Sequence, residues 1–296
     1  MTIPSQQLAS WSVLPTQVRA GWAHAALKSA LLIDGRYQGH SVAVYVQGSY
    51  RNLVNTRWDS DVDIVAELHS VCFNDATWLN RWEQRAFWQS VQHTDYDYQQ
   101  FRSEVLELLK SRFSSAVEPH AKAIEIRENW RRLKVDVLPA MRYRRVLSFD
   151  GANVTSTDGI VFWAADGRCI VNWPQQHHDN GVAKHESTGG NYRPSVRMFK
   201  NARRVAVERG LLSAGVTPSY FLQGLLSNVP DELFGPDREQ TYLDVVNWLT
   251  QWRWSMHQFR CQNGVETLFG ASPEQWNLND AGATVEGLVN LWNSWP

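Results

Sequence analysis

Gln47-Gly48-Ser49 is followed, twelve residues after the serine, by Asp61-Val62-Asp63. A glycine has no side chain to hold a phosphate away from the backbone. The Ser49 hydroxyl and the neighbouring amides can donate hydrogen bonds to phosphate oxygens. Asp61 and Asp63 stand in the apolar run Asp61-Val62-Asp63-Ile64-Val65. In a strand, alternation puts both carboxylates on one face and Val62 and Ile64 on the other. Two carboxylates beside a phosphate cradle meet the needs of a pair of divalent cations. The chemistry that this combination suits is metal-dependent nucleotidyl transfer.

A two-metal site generally needs a third carboxylate. Arg131-Arg132-Leu133-Lys134-Val135-Asp136-Val137-Leu138-Pro139 offers Asp136, with Val135 and Val137 on the opposite face of a strand. An acidic group among apolar neighbours costs desolvation energy unless it is paired or bound to a metal. Taken alone, Asp136 reads as a hydrogen-bonded or exposed strand aspartate. Coupled to the other two motifs, it reads as the missing ligand. His177-His178 with His185 matches no standard metal spacing.

These residues need elements to hold them. Residues 15–32 read as an amphipathic helix and 41–46 as the strand that delivers the chain to Gly48. Residues 60–68 read as the second strand, and 76–91 and 98–113 as helices. Residues 121–127 and 131–138 read as a hairpin turning at Glu128-Asn129-Trp130, and 160–164 with 169–172 as another. From about Gly189 the pattern turns helical: 192–212, a helix opening at Thr217-Pro218 with threonine as N-cap, 239–252 and 284–295. Residues 172–191, rich in Asp, Asn, His and Gly, read as a linker loop. The expected class is α+β, with a nucleotide-handling core over 1–175, a helical domain over 176–296 and the site in the cleft between them.

Composition narrows the classes. The 29 basic and 30 acidic residues nearly cancel, which argues against a protein that coats nucleic acid. A hydrophobic fraction of 43% is enough for an ordinary core. The three cysteines, Cys72, Cys169 and Cys261, are scattered and form neither a disulfide framework nor a metal knuckle, so a reduced, cytoplasmic setting is expected. No signal peptide and no membrane span is visible. The fifteen tryptophans are expected to serve mainly in core and inter-domain packing.

On its motifs the chain resembles the DNA-polymerase-β-like nucleotidyltransferase superfamily. Within it, the chain resembles the cGAS/DncV-like nucleotidyltransferases of bacterial CBASS anti-phage systems. The N-terminal resemblance rests on Gly48-Ser49-Tyr50-Arg51-Asn52, Asn55, Asp59-Ser60-Asp61-Val62-Asp63-Ile64-Val65 and Lys134-Val135-Asp136-Val137. The C-terminal part rests on Ser187-Thr188-Gly189-Gly190-Asn191-Tyr192, Val196-Arg197-Met198-Phe199-Lys200-Asn201 and Pro218-Ser219-Tyr220-Phe221-Leu222, ending at Asn228-Val229-Pro230. Two features depart from the pattern: Val54 precedes Asn55 where a small or hydroxylated residue is expected, and no Cys/His zinc module is present.

The resemblance implies a polymerase-β-like core with a mostly antiparallel or mixed sheet and a helical lobe of the oligoadenylate-synthetase-like type. It implies catalysis by Asp61, Asp63 and Asp136 holding two Mg2+ ions, with Mn2+ as a substitute. Gln47, Gly48 and Ser49 would cradle the donor triphosphate, Lys200 would reach its β- or γ-phosphate, Ser219 would touch phosphate, and Tyr220 would stack on a base. Arg193 and Arg197 are further phosphate candidates. The implied activity is synthesis of a cyclic di- or trinucleotide messenger from nucleoside triphosphates such as ATP and GTP, with release of pyrophosphate. A separate effector would read the product, with no membrane and no obligate nucleic acid. Two other readings share these residues: a transferase that modifies an RNA, protein or small-molecule acceptor, and a silent nucleotide-binding module.

Overall fold

The structure, a computed structural model, describes residues 1–33, 37–58, 61–128, 133–272 and 274–296. Asp59 and Ser60 of the second motif, and residues 129–132 of the expected hairpin, lie outside the described residues. The chain divides into two compact units that are not consecutive in sequence. One holds Thr16–Tyr50 and Ser60–Pro174; the other holds Met1–Pro15, Arg51–Asp59 and Gln175–Pro296.

The first unit is built on a seven-stranded mixed sheet. Its strands are β1 (Val42–Val46), β2 (Asp61–Asp75), β3 (Val117–Pro119), β4 (Ile124–Ile126), β5 (Lys134–Phe149), β6 (Val154–Trp163) and β7 (Cys169–Asn172). The main order is β1-β2-β5-β4-β3, with β6 paired to β5 and β7 to β6. Only β2 and β5 run parallel; the other pairs are antiparallel. The α+β class with a mixed sheet is therefore the one the motifs led us to expect.

Alternation is kept strictly where it matters. Val62, Ile64, Val135 and Val137 are fully buried, and Asp61, Asp63, Lys134 and Asp136 between them are partly exposed. β2 runs well past the expected residue 68. The pattern breaks at the exposed pair His69-Ser70, whose amides both reach the Ser41 carbonyl, and the β2–β5 register shifts between Leu68 and Cys72 before pairing resumes. A break in alternation thus marks a bulge and not a strand end.

Helices α2 (Val18–Ile33), α4 (Arg81–Ser90) and α5 (Tyr98–Phe113) complete this unit, and the one-turn α3 (Gly48–Arg51) starts in it. The stripe Phe101, Val105 and Leu109 of α5 is fully buried, and Asp97 caps the helix reciprocally with Gln100. Asn80 and Glu83 form the same box on α4, which starts it five residues later than the apolar pattern suggested.

The second unit holds α1 (Ser5–Ser12), α6 (Pro174–Ser187), α7 (Tyr192–Glu208), α8 (Ser219–Ser227), α9 (Arg238–Gln251) and α10 (Leu278–Asn293). Its core joins Val196, Phe199 and Ala202 of α7 to Phe221 and Leu225 of α8, Tyr242 and Val245 of α9, and Leu288 of α10. Ile3, Leu8 and Trp11 belong to the same core.

Three expectations are corrected here. The linker reading of 172–191 fails, because most of it is helix α6. That helix has no apolar stripe to betray it: it buries His177 and Gly181, and polar bonds fasten it, His177 to Gln223, Asn180 to the Gln262 carbonyl and Lys184 to the Val229 carbonyl and Asp231. Thr217 does not cap α8: Pro218 occupies the N-cap position, and the Thr217 hydroxyl bonds that of Thr284. Trp248, Trp292 and Trp295 pack against the helical core as expected, but Trp78, Trp82, Trp88, Trp252 and Trp254 are exposed. Among the described residues no helix is long and apolar enough to cross a membrane.

Gly159 on β6 offers a test of this packing. A Cβ there would lie 2.6 Å from the Asn172 carbonyl oxygen and 2.8 Å from the buried Trp173 ring. Neither neighbour is a flexible side-chain end, so Gly159→Ala should destabilise the protein by about 2–4 kcal/mol. Urea unfolding reads this as a lower midpoint; an unchanged midpoint would show that β6 and Trp173 are not in such contact.

Candidate active site

Three sequence-distant motifs meet because three adjacent strands carry them. The β1–β2 ladder pairs Val46 with Ile64 and continues as the Gln47 amide donates to the Asp63 carbonyl at 2.9 Å. Gly48 therefore follows directly beside Asp63. On the other flank, β2 and β5 place Asp61 opposite Lys134 and Asp63 opposite Asp136. Register partners share a face, so Asp61, Asp63 and Asp136 stand together on the partly exposed side of the sheet. This is the convergence the motifs required.

Gly48 is required twice over. Its φ is +67°, in the left-handed region, and an added Cβ would collide with Oδ2 of Asp63. The following turn is the short helix Gly48–Arg51, which carries Ser49. The Gln47 amide is committed to the ladder, so a phosphate contact from Gln47 would have to use its side chain.

Among the described residues, this face carries the carboxylates of Asp61, Asp63, Asp136 and Glu125 and the ammonium of Lys134. Lys134 Nζ lies 3.1 Å from Oδ2 of Asp61 and 3.1 Å from Oε2 of Glu125, while Glu125 faces Asp136 across the β4–β5 ladder. Burial pushes the Asp136 carboxyl above its ordinary pKa; Lys134 opposes that, and the negative charges of Asp61 and Glu125 add to it. The Lys134 ammonium is held charged above its usual range, chiefly by its bond to Asp61. Hard carboxylate oxygens gathered on one face suit Mg2+ or Mn2+, and the tight approach of Asp63 to Gly48 leaves backbone next to them. The residues present thus fit a divalent metal.

A different group, Glu118, His120 and Glu125, brings three possible metal ligands within 4.8 Å of one another among the described residues. Glu118 and His120 are exposed, and Glu125 already faces Lys134. Sequence reasoning did not foresee Glu125 or the contacts of Lys134. Their only signal is cross-strand register, which a single strand's pattern does not contain.

The remaining candidates lie in the helical unit. Lys200 is buried on α7 and donates to the Val54 carbonyl at 3.1 Å. Arg197 is buried beside it and donates through Nε to the Ser12 carbonyl at 2.7 Å and through Nη1 to the Leu53 carbonyl. Burial, with Arg238 and Arg193 nearby, lowers its pKa to about 10. Ser219 is the first residue of α8. Tyr220 stacks against His177 and Trp276, with centroids 4.9 and 5.8 Å away, and its hydroxyl accepts from Asn263.

A fold with this sheet and these motifs defines a nucleotidyltransferase. Residues 179–293 match the cGAS/DncV-like nucleotidyltransferase C-terminal helical domain. The chain is 36% identical to the cyclic UMP-AMP synthase of Rhodothermus marinus, over 100% of this chain and 99% of that one. It is 34% identical to cyclic nucleotide synthase CdnE01 of Staphylococcus haemolyticus, over the whole of both chains. The solved Rhodothermus marinus CdnE c-UMP-AMP synthase, bound to Apcpp and Upnpp, superposes with a TM-score of 0.89 at 35% identity, covering 99% of this chain and 97% of that one. The chain belongs to the cGAS/DncV-like nucleotidyltransferase family. It is an enzyme of the cyclic nucleotide synthase type, using nucleoside triphosphates, in a family that is metal-dependent.

Gly48→Ala should cut kcat/KM at least about a hundredfold, since the strained φ and the collision with Asp63 both distort the site. The thermal midpoint should fall by only a few degrees, because the strain of a left-handed alanine is about 1–2 kcal/mol. Steady-state kinetics with differential scanning fluorimetry check this; wild-type kinetics would mean that the Gly48–Asp63 approach is unimportant.

Proposed function

We propose that this enzyme joins two nucleoside triphosphates into a cyclic dinucleotide with release of pyrophosphate, on a core drawn mainly from 1–175 with a helical domain drawn mainly from 176–296, and that the product is an anti-phage signal read by a separate effector. The observation that carries the reading is the register of Asp63 with Asp136, beside a glycine that admits no side chain. The likeness over both whole chains to a cyclic UMP-AMP synthase supports UTP and ATP as the first nucleotides to test.

In this reading Asp61, Asp63 and Asp136 would hold two Mg2+ ions, or Mn2+ in their place. Bound there, these ions supply activation of the attacking ribose hydroxyl and neutralisation of charge on the departing pyrophosphate. The protein's own part is placement. Gly48 lets backbone approach the triphosphate, and Ser49 donates a hydroxyl to it. Buried Val62, Ile64, Val135 and Val137 hold the carboxylates in a fixed register, so that the attacking hydroxyl and the α-phosphorus are brought in line. In the helical unit, Lys200 would meet phosphate through its ammonium. Ser219 would donate its hydroxyl, and Tyr220 would contact a base with the 39% of its surface left open.

Mass spectrometry of the products from a four-ribonucleotide mixture with Mg2+ and no acceptor tests the proposal. A small, phosphatase-resistant cyclic product is expected. Asp63→Asn should lower its yield about a thousandfold or more, roughly 4 kcal/mol at the transition state, with the fold intact by circular dichroism. Synthesis retained in that variant, or dependence on an added acceptor, would reject the reading.

A further inference from the structure

We infer that Lys134 is a positioning residue for this reaction: held by Glu125, it fixes one oxygen of Asp61 and balances the charge of the carboxylate face. The inference deepens the proposed function and rests on it.

Five charged side chains stand on neighbouring positions of three strands: Asp61 and Asp63 on β2, Lys134 and Asp136 on β5, Glu125 on β4. Four are carboxylates and one is an ammonium. The ammonium is not placed at random among them. Lys134 is the register partner of Asp61 and donates to its Oδ2, and its second contact is Oε2 of Glu125, each at 3.1 Å. That same Glu125 oxygen lies 3.4 Å from His120 Nε2. Glu125 is only 18% exposed at its side chain, so it is a firm anchor for the lysine.

The geometry has two consequences. First, a carboxylate with Oδ2 committed to an ammonium presents Oδ1 in a fixed direction, whereas an unbraced one rotates about its terminal torsion. Asp61 then meets its metal already oriented. Second, the lysine lowers the negative potential of the face. Without it the carboxylates would attract divalent cations more strongly but hold them less well placed. Lys134 thus exchanges metal affinity for geometry.

That exchange gives opposite signs to two measurements, which a merely structural lysine would not. The test uses full-length protein without nucleotide, titrated with Mn2+ and read from the free-ion electron paramagnetic resonance signal. For each variant, the binding that persists when Asp63→Asn is added to it is subtracted, which removes any contribution from Glu118, His120 and residue 125. In parallel, kcat for cyclic product is measured at saturating metal. Lys134→Met should bind Mn2+ about three- to tenfold tighter yet turn over at least about tenfold more slowly. Lys134→Arg, which keeps charge and reach, should recover most of both. Glu125→Gln, one negative charge fewer, should bind Mn2+ about three- to tenfold more weakly.

Unchanged or weaker Mn2+ binding in Lys134→Met, or unchanged kcat, overturns the inference. If Lys134→Met does not fold, the Lys134→Arg and Glu125→Gln results decide: Mn2+ affinity and kcat both at the wild-type value in Glu125→Gln overturn it. An inactive Asp63→Asn alongside a wild-type-like Lys134→Met rejects the lysine's role alone, while an active Asp63→Asn rejects the active site itself.

Discussion

The register of one strand carries the site. β2 pairs with β1 so that Gly48 falls beside Asp63, and with β5 so that Asp63 falls beside Asp136. Because side chains alternate, a slip of β2 by one residue would turn Asp61 and Asp63 into the core. The residues that would come out in exchange are Val62 and Ile64, both fully buried. Burying unpaired carboxylates costs several kcal/mol each, and exposing two branched apolar side chains adds to it. The hydrophobic half of these strands therefore enforces the position of the chemical half. Core packing thus sets the backbone positions of the carboxylates, while the Lys134 contact bears on how the Asp61 carboxyl is turned.

The same face carries a local cost. Glu125 and Asp136 are cross-strand partners of like charge, and Asp136 is half-buried with its carboxyl pushed upward. Like charges directly opposite one another destabilise a sheet. A sheet chosen for stability alone would place an apolar or oppositely charged residue there. Perturbed carboxylates in such an arrangement mark sites kept for function. Lys134, and His120 beyond it, offset part of that repulsion.

How much of this was legible depends on the length scale of each signal. Asp61-Val62-Asp63 and Val135-Asp136-Val137 state their faces by alternation alone, and the glycine states the need for close approach. Those signals are local, and a single chain displays them. The Lys134–Glu125 brace is not local: both residues look like ordinary strand charges until β4, β5 and β2 are aligned. Helix α6 was hidden for a different reason. Helices are usually recognised by an apolar stripe, but this one buries a histidine and a glycine and is held by polar bonds. The tail of β2 was hidden by a bulge at His69-Ser70, where a broken pattern resembles an ending. The exposed tryptophans at 78, 82 and 254 defeat a composition argument, because aromatic residues reach the surface as well as the core.

Val54 shows how a departure from a family pattern can be settled by packing. It interrupts the stretch between the two motifs where a small or hydroxylated residue was expected. In the structure it is buried in the helical core with Phe199 and Tyr192. Its neighbour Leu53 takes a φ of +56°, strained for a branched residue, so something must hold the chain there. The Leu53 and Val54 carbonyls lie in no strand or helix, yet a buried carbonyl needs a donor. Arg197 supplies one and Lys200 the other. The apolar side chain and the two cationic side chains are thus complementary. Valine draws this stretch into the core, and α7 satisfies the backbone that it carries in. A hydroxylated residue at position 54 would bring a further polar group into that core, so valine is the residue that this arrangement favours.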